Sequence, residues 1–515
     1  MTKRLISNDK NEPLFVFDLA NNHQGDLKHA RMIINSVNEQ VKLAGVKGAM
    51  KFQFRNLDTY IHESFASRDD LKYITRFKST KLDKAELNEL VQFSKSLGFI
   101  TMTTPFDEES VDFAEEAEVD ILKIASACAD DFPLIKKIIK KGKPIIASTG
   151  GLRVEQIDNL VRMLEKSSNE FGIMHCVSIY PTPDNLLNLN QISLFRERYP
   201  NIPIGWSTHE NPNNFTPVIL ATALGASIFE RHIGMATERY VLNDYSSTPE
   251  QLGFWFQQQK NACNLLGADE RPPTTAEESE ALSQLKRGIY AKTSIKKGEK
   301  LSTSNIKFAF PAEKNQLNPG DTEFGLVATQ DLKDGDAIYR EQIEMLEDPD
   351  NSLSSILLQA RGMLSRSKTA LNEDAEVEIS HHYGMGRFRE FGAILITCIN
   401  RDYAKKIVVQ LPRQKHPYHY HKKKEETFHL LWGDLEITIN GKILKMNPGD
   451  TALVKPGEWH KFQTLNGAII EEISTTSLID DSVYEDSKIK HVSVSERKTK
   501  ILDWKEFFGF IDGLR

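Results

Sequence analysis

A chain of 515 residues is too long for a single hydrophobic core, and its 40% apolar and 27% charged content is that of a folded protein, so two to four domains are expected. A net charge of −7 lacks the basic surplus of a non-specific nucleic-acid binder. The four cysteines, Cys128, Cys176, Cys263 and Cys398, form no CxxC pair, and no run of 18 apolar residues exists; reduced thiols in a soluble cytoplasmic protein, with neither membrane span nor signal peptide, are the expectation.

Eight apolar runs recur at βα spacing through the first half of the chain: FVFDLANNH (15–23), VKGAMKFQF (46–54), FITMTTPF (99–106), VDILKIAS (119–126), KPIIASTG (143–150), FGIMHCVSIYP (171–181), IPIGWSTHE (202–210) and ASIFERHIG (226–234). Amphipathic stretches of helical period lie between them at 27–44, 84–98, 108–118, 131–141, 153–166, 213–225 and 249–266. Strict alternation favours a parallel sheet. A doubly wound sheet would carry a glycine-rich loop after its first strand, and LANNHQGD is not one. The expectation is a (β/α)8 barrel over residues 1–268, whose strand ends converge on one mouth. The terminal polar residues are Asp18, Lys51, Gln53, Lys123, Ser126, Ser148, His175, His209 and His232. His209 and His232 end consecutive strands and can share a metal ion, with Glu210 and Glu230 placed to ligate or orient; two imidazoles with open positions suit Mn, Fe or Zn better than Mg or Ca. Lys51 and Lys123 sit inside apolar strands, where a solvated charge is out of place, and fit an anion site with Ser126, Ser148 and Ser207.

Residues 269–285 are polar and proline-containing and read as a linker. In residues 286–346 the pattern SIKKGEKLS is echoed by DLKDGDAIY, which suggests a small β-rich unit with turns at Gly298 and Gly335. Residues 347–515 change to short strands with turn signals, INGK at 439–442 being a tight-hairpin signature, and a β-barrel or jelly roll is expected. There His419, His421, Glu426 and His460 have the spacing to surround one divalent metal from neighbouring strands. His381 and His382 fit either that pocket or a surface loop.

In their order, DLANNHQGD, MKFQ, TPFD, LKIASA, KPIIASTG, HCVSIYPTP, GWSTHE and FERHIG resemble the N-acetylneuraminate (sialic, or nonulosonic, acid) synthase family. Residues 286–346 resemble that family's antifreeze-like (SAF) domain. HPYHYHKKKEETFHLLWG with NPGDTALVKPGEWH resembles the two cupin motifs, and H-x-H-x-x-K-x-E, with Lys424, is similar to the metal motif of cupin-type sugar isomerases. The resemblance implies a homodimeric enzyme, a transferase that condenses phosphoenolpyruvate with an open-chain hexose or N-acetylhexosamine to give a nine-carbon 2-keto-3-deoxy acid and phosphate. It implies a divalent metal, manganese before magnesium, on His209 and His232, and a second metal in a cupin that binds or isomerises a related sugar. Lys51, Lys123, Ser126, Ser148, Ser178 and Ser207 would hold phosphoenolpyruvate. Tyr180 and Asp244 would face the sugar, Gln53 and Glu230 would line the site, and Asp18 would act with Lys123 and the metal pair in catalysis. Three positions depart from the family: Asp18 replaces a glutamate and shortens its reach by ~1.5 Å; Ser178 replaces an asparagine; Phe310 stands where an arginine reaches the sugar. The last implies an acceptor other than N-acetylmannosamine. A 3-deoxy-ulosonate synthase acting on another aldose, and a barrel that binds sugar without turnover, are the alternatives.

Overall fold

The eight apolar runs form the eight strands of one closed parallel barrel in the computed structural model. They are β1 (Leu14–Asp18), β2 (Lys47–Phe54), β3 (Ile100–Pro105), β4 (Ile121–Ile124), β5 (Ile145–Ser148), β6 (Phe171–Cys176), β7 (Ile204–Thr208) and β8 (Ile228–His232), with β8 returning to pair with β1. The residues described are 4–6, 8–167, 169–268, 271–346, 352–372, 374–478, 481–493, 496–502 and 504. They belong to two units, Met1–Pro272 and Pro273–Arg515.

Helices fill the expected intervals at Leu27–Ala44, Lys84–Ser96, Glu108–Glu116, Phe132–Lys140, Val154–Glu165, Thr216–Ala223 and Pro249–Leu266. Asp26, Asp83, Asp107, Asp131 and Thr248 cap five of them by accepting from first-turn N–H groups that the helix leaves without partners. Besides a four-residue helix, Leu57–Tyr60, two longer helices, Lys72–Ser79 and Gln191–Arg198, lie where the sequence shows no periodic pattern. Both are short, eight residues each, and too brief to repeat an apolar stripe.

Strand parity sorts the barrel residues. Outward positions such as Phe15, Phe17 and Phe229 pack on the helices; Phe15 meets Trp255 and Phe256 at ring separations of 5.3 and 4.8 Å. Inward positions change from apolar to polar along every strand. The lower interior is Leu14, Val16, Ala49, Met102, Ile121, Ile146, Met174 and Ile228, closed from below by Ile6. Glu170 anchors that plug by accepting from the Leu5 and Ile6 N–H groups. One step further up, the inward residues are Asp18, Lys51, Lys123, Ser148, Cys176, Ser207 and Glu230, all buried. Two layers of hydrocarbon thus carry one layer of charge.

In the second unit, residues 273–285 include a helix, Ala276–Ser283, with no buried residue; Asp269 and Glu270 of the expected linker lie outside the described residues. Strand Gly288–Ala291 then pairs with Ile306–Ala309, and Leu326–Ala328 with Ile343–Met345. The two echoed motifs pair with each other: Ile295 and Leu332 exchange backbone hydrogen bonds of 2.9 and 2.8 Å. Gly298 and Gly335 both take left-handed φ, 83° and 86°. Ile289, Ile295, Leu301, Leu326 and Ile338 give this segment its own core.

A helix, Leu353–Arg366, which the strand-rich reading of 347–515 did not include, precedes the second β region; residues 347–351 lie outside the described residues. Beyond it stand a seven-stranded and a five-stranded antiparallel sheet. The hairpin at INGK forms as expected, with Asn440 and Gly441 both at positive φ.

Gly205 occupies an inward position on β7, where a Cβ would stand 2.7 Å from both Cβ and O of Ile228. Gly205→Ala is expected to lower the stability of the barrel unit by about 1–3 kcal/mol in denaturant titration. Unchanged stability would mean that β7 and β8 separate freely.

Candidate active site

The barrel's charged layer is one hydrogen-bonded network. Lys51 Nζ lies 2.9 Å from Asp18 Oδ2 and 2.8 Å from Glu230 Oε1. Lys123 Nζ lies 3.1 Å from Glu230 Oε2 and donates to Ser148 Oγ at 2.7 Å. Ser207 donates to Glu230 Oε1 at 3.0 Å, and Gln53 Nε2 donates to Asp18 Oδ2 at 3.2 Å. Two ammonium groups and two carboxylates balance, which is what lets them sit away from water. Burial acts to raise the Glu230 carboxyl, but Lys123 and Lys51 outweigh it and hold it well below the usual range. Burial likewise acts to raise the Asp18 carboxyl, but its neighbours, Lys51 foremost, outweigh it and hold it below the usual range. Lys51 is pushed up by its two carboxylates against its burial, whereas burial wins at Lys123 and pushes it down.

Above this layer stand the two imidazoles, with ring centroids 5.3 Å apart. His209 Nδ1 lies 3.0 Å from the Val177 carbonyl, which leaves Nε2 for the mouth. His232 Nε2 lies 3.6 Å from Asp18 Oδ2, and burial lowers the pKa of this ring. Two imidazoles with a carboxylate beside them suit a divalent ion. Tyr180 packs on His209 at 4.1 Å, and Tyr245 on His232 at 5.4 Å. Ser126 accepts from the Gly150 N–H at 3.1 Å, and a Cβ at position 150 would stand 2.8 Å from each of Ser126 Oγ and Ser178 Oγ. Only glycine leaves these hydroxyls room beside the lysines.

Two expected placements differ. His175 turns away from the mouth, its Nε2 lying 2.7 Å from the Leu187 carbonyl, because parity on β6 gives the inward place to Cys176. Glu210 also turns away: it accepts from Arg231 Nη2 at 2.6 Å, both residues being fully buried, and so neither ligates nor contacts the histidines' open nitrogens. Asp244 is exposed in the segment after β8, with no hydrogen bond among the described residues. Tyr245 and Cys176 were not singled out from the sequence; counting parity back from Met174 finds Cys176, whereas nothing in the sequence marks Tyr245.

The second unit holds its own cluster. His419 and His460 are register partners in the five-stranded sheet, and Glu426 begins a strand of the facing sheet. One nitrogen of each of His419, His421 and His460 lies within 4.8 Å of the others, and among the described residues no other group of three potential ligands does so. His419 Nδ1 and His460 Nδ1 lie 3.0 and 3.1 Å from the carbonyls of Pro417 and Glu458, so each Nε2 faces inward. Glu426 lies 3.3 Å from His421 Nε2 and 3.2 Å from His460 Nε2. His460 Nε2 and Glu426 Oε2 are both buried; though 3.2 Å apart they are not aligned for a hydrogen bond and have no other partner, the condition a bound cation would relieve. All four expected ligands therefore fit a divalent metal. Lys424 bridges Glu426 at 2.6 Å to Glu472. His382 belongs to this pocket, its Nε2 3.2 Å from His416 Nε2, while His381 turns to Thr499.

The profile of the NeuB family matches residues 37–271, and that of the cupin domain matches residues 406–468. An uncharacterised protein of Methanocaldococcus jannaschii is 33% identical over 59% of this chain and 86% of its own length. The N,N'-diacetyllegionaminic acid synthase of Campylobacter jejuni is 26% identical over 63% of this chain and 98% of its own. The crystal structure of a putative spore coat polysaccharide biosynthesis protein E from Chromobacterium violaceum is 39% identical, with a TM-score of 0.63, covering 64% of this chain and 99% of that one.

Burial, then the charges of His419 and Arg497, pushes His382 down to about 3, and burial lowers His416 and His419 strongly. In the unfolded chain these histidines take up protons below about pH 6.5; in the fold they do not. Stability is therefore full above that pH and falls as the pH drops, by about 1.4 kcal/mol per pH unit for His382 alone. Denaturant midpoints of the second unit are expected to fall between pH 6.5 and 5, and His382→Gln to flatten the slope by about one proton. A flat wild-type profile would contradict the burial of these rings.

Proposed function

The chain belongs to the NeuB family, and on that premise we propose that it condenses phosphoenolpyruvate with an open-chain hexose or hexosamine, releasing phosphate and a nine-carbon 2-keto-3-deoxy acid. The observation that carries this reading is the buried pair of lysines below two imidazoles in one barrel mouth. Lys51 and Lys123, with Ser126, Ser148, Ser178 and Ser207, bind the phosphate and carboxylate of phosphoenolpyruvate. Glu230 holds both ammonium groups in register and yields part of their hydrogen bonding to the incoming anion. A divalent metal on His209 and His232, manganese in preference to magnesium, would supply polarisation of the acceptor's aldehyde oxygen. Tyr180 and Asp244 orient the sugar beside it, and Gln53 lines its path. Carbon 3 of phosphoenolpyruvate then forms the new bond to the aldehyde carbon; the carbonyl π pair moves to the aldehyde oxygen, which takes up the proton that the water at carbon 2 later gives up, and carbon 2 is left electron-poor. Asp18, kept ionised by Lys51, accepts a hydrogen bond from the water that adds at carbon 2, after which the carbon–phosphate oxygen bond breaks. Placing these charges before reaction is the main source of catalysis in this account.

The same reading makes the protein a homodimer, in which residues 286–346 act as the SAF domain and present Phe310, 64% exposed, to the barrel of the second copy. We infer further that the cupin pocket, a cavity of about 1100 Å³ lined by His419, His421, Glu426 and Lys424, holds a second divalent metal and binds or isomerises a related sugar. A pocket of that size accommodates a sugar derivative with room to spare.

With Mn²⁺, phosphoenolpyruvate and a panel of hexoses, hexosamines and their derivatives, sugar-dependent phosphate release is expected. His232→Ala should reduce it on the order of 1000-fold. Release that is independent of sugar, or unaffected by that substitution, would overturn the proposal.

A further inference from the structure

Arg55 continues the inward series that Lys51 and Gln53 begin on β2. At about 3.3 Å per residue its Cα lies about 13 Å along the chain from that of Lys51, which is about 11 Å in height for strands tilted by about 36°. Its guanidinium is held between two rings, Cζ lying 3.6 Å from the Phe106 centroid and 4.2 Å from that of Phe77. Its polar partners are neutral: Nη2 donates to Gln53 Oε1 at 2.9 Å, and Tyr60 supplies a second contact. Nε is buried without a partner. No carboxylate reaches the group within 4 Å among the described residues. This differs from Lys51 and Lys123, whose charges are matched by Asp18 and Glu230. A second cation of this region, Arg76, acts on Tyr245, which packs on His232, and has no ion-pair partner among the described residues. Burial lowers the Arg55 guanidinium to about 10, so it is charged at neutral pH. Asp18 attracts it from beyond Gln53 but is already paired with Lys51. A desolvated, fixed fork with no carboxylate in contact favours a ligand oxyanion.

The spacing indicates which one. Eight bonds of about 1.5 Å, in zigzag, carry carbon 9 of the extended product ~10 Å from carbon 1. With the carboxylate end on the deep lysines, a charged substituent on the far carbon comes level with Arg55. We propose that Arg55 is the subsite for an anionic group on carbon 6 of the acceptor, a phosphate ester or a carboxylate, so that the acceptor is a hexose or hexosamine 6-phosphate or a hexuronic acid. This rests on the synthase reading for where the acceptor lies. Gln53, which joins Arg55 to Asp18, ties occupancy of the subsite to the reacting end.

The test compares kcat/KM for neutral acceptors, their 6-phosphates and the corresponding uronic acids, using the full chain with Mn²⁺, for the wild type, Arg55→Met and Arg55→Lys. The wild type should prefer one anionic series over its neutral parent, and which series it prefers separates the two sources. Arg55→Met should reduce that preference on the order of 100-fold, and Arg55→Lys, which keeps the charge without the fork, should recover part of it. Wild-type preference for neutral acceptors, or a preference unchanged in Arg55→Met, would overturn the subsite while leaving the synthase standing. If no acceptor supports phosphate release, the synthase reading falls, and calorimetry with mannose 6-phosphate and with mannuronic acid decides the subsite alone. Weaker binding by a folded Arg55→Met protein supports it; equal binding, or none in the wild type, overturns it.

Discussion

Two ammonium groups buried at the centre of a barrel require two carboxylates within hydrogen-bonding distance, and the rest of the site follows from that requirement. Glu230 touches both lysines, and Asp18 takes a second bond from Lys51. Removing one partner from such a set leaves an uncompensated charge that costs about 3–5 kcal/mol. The arrangement is therefore weak evidence for stability and strong evidence for retained chemistry. Its position is equally constrained, since the apolar layer from Leu14 to Ile228 below it excludes water and fixes the height at which Lys51, Lys123 and Glu230 can meet.

One device recurs in both units. A histidine intended to present one nitrogen is held by a backbone carbonyl at the other: His209 by Val177, His419 by Pro417 and His460 by Glu458. The carbonyl fixes ring orientation and prepares the open nitrogen for a cation. In the barrel His209 stands beside His232, which faces Asp18, whereas in the second unit His421 and His460 face Glu426 and His419 completes their cluster. The barrel pair, with fewer protein ligands, leaves more positions for a substrate.

Much of this was legible in the sequence because strand ends in a parallel barrel share one mouth, so Asp18, Lys51, Lys123, Ser148, Ser207, Glu230 and His232 could be gathered without coordinates. The clustering of His419, His421, Glu426 and His460 was legible from their spacing on strands. Reading the last polar residue of each run, without its parity, took His175 for a site residue and passed over Cys176. The same oversight applied to Glu210, whose partner Arg231 lies on the outward side of β8. Arg55 follows the last residue of β2 and gains its meaning from Phe77 and Phe106, which arrive from other elements. The helix Leu353–Arg366 was hidden because the strand-rich residues after it dominate the composition.

The central claim is that the paired lysines at the barrel's centre are the binding site for phosphoenolpyruvate. Calorimetric titration of phosphoenolpyruvate into the wild type and Lys123→Met, both confirmed as folded, tests it most directly. The account predicts measurable binding by the wild type and a loss on the order of 100-fold in the variant. Equal affinity in the two proteins would contradict it.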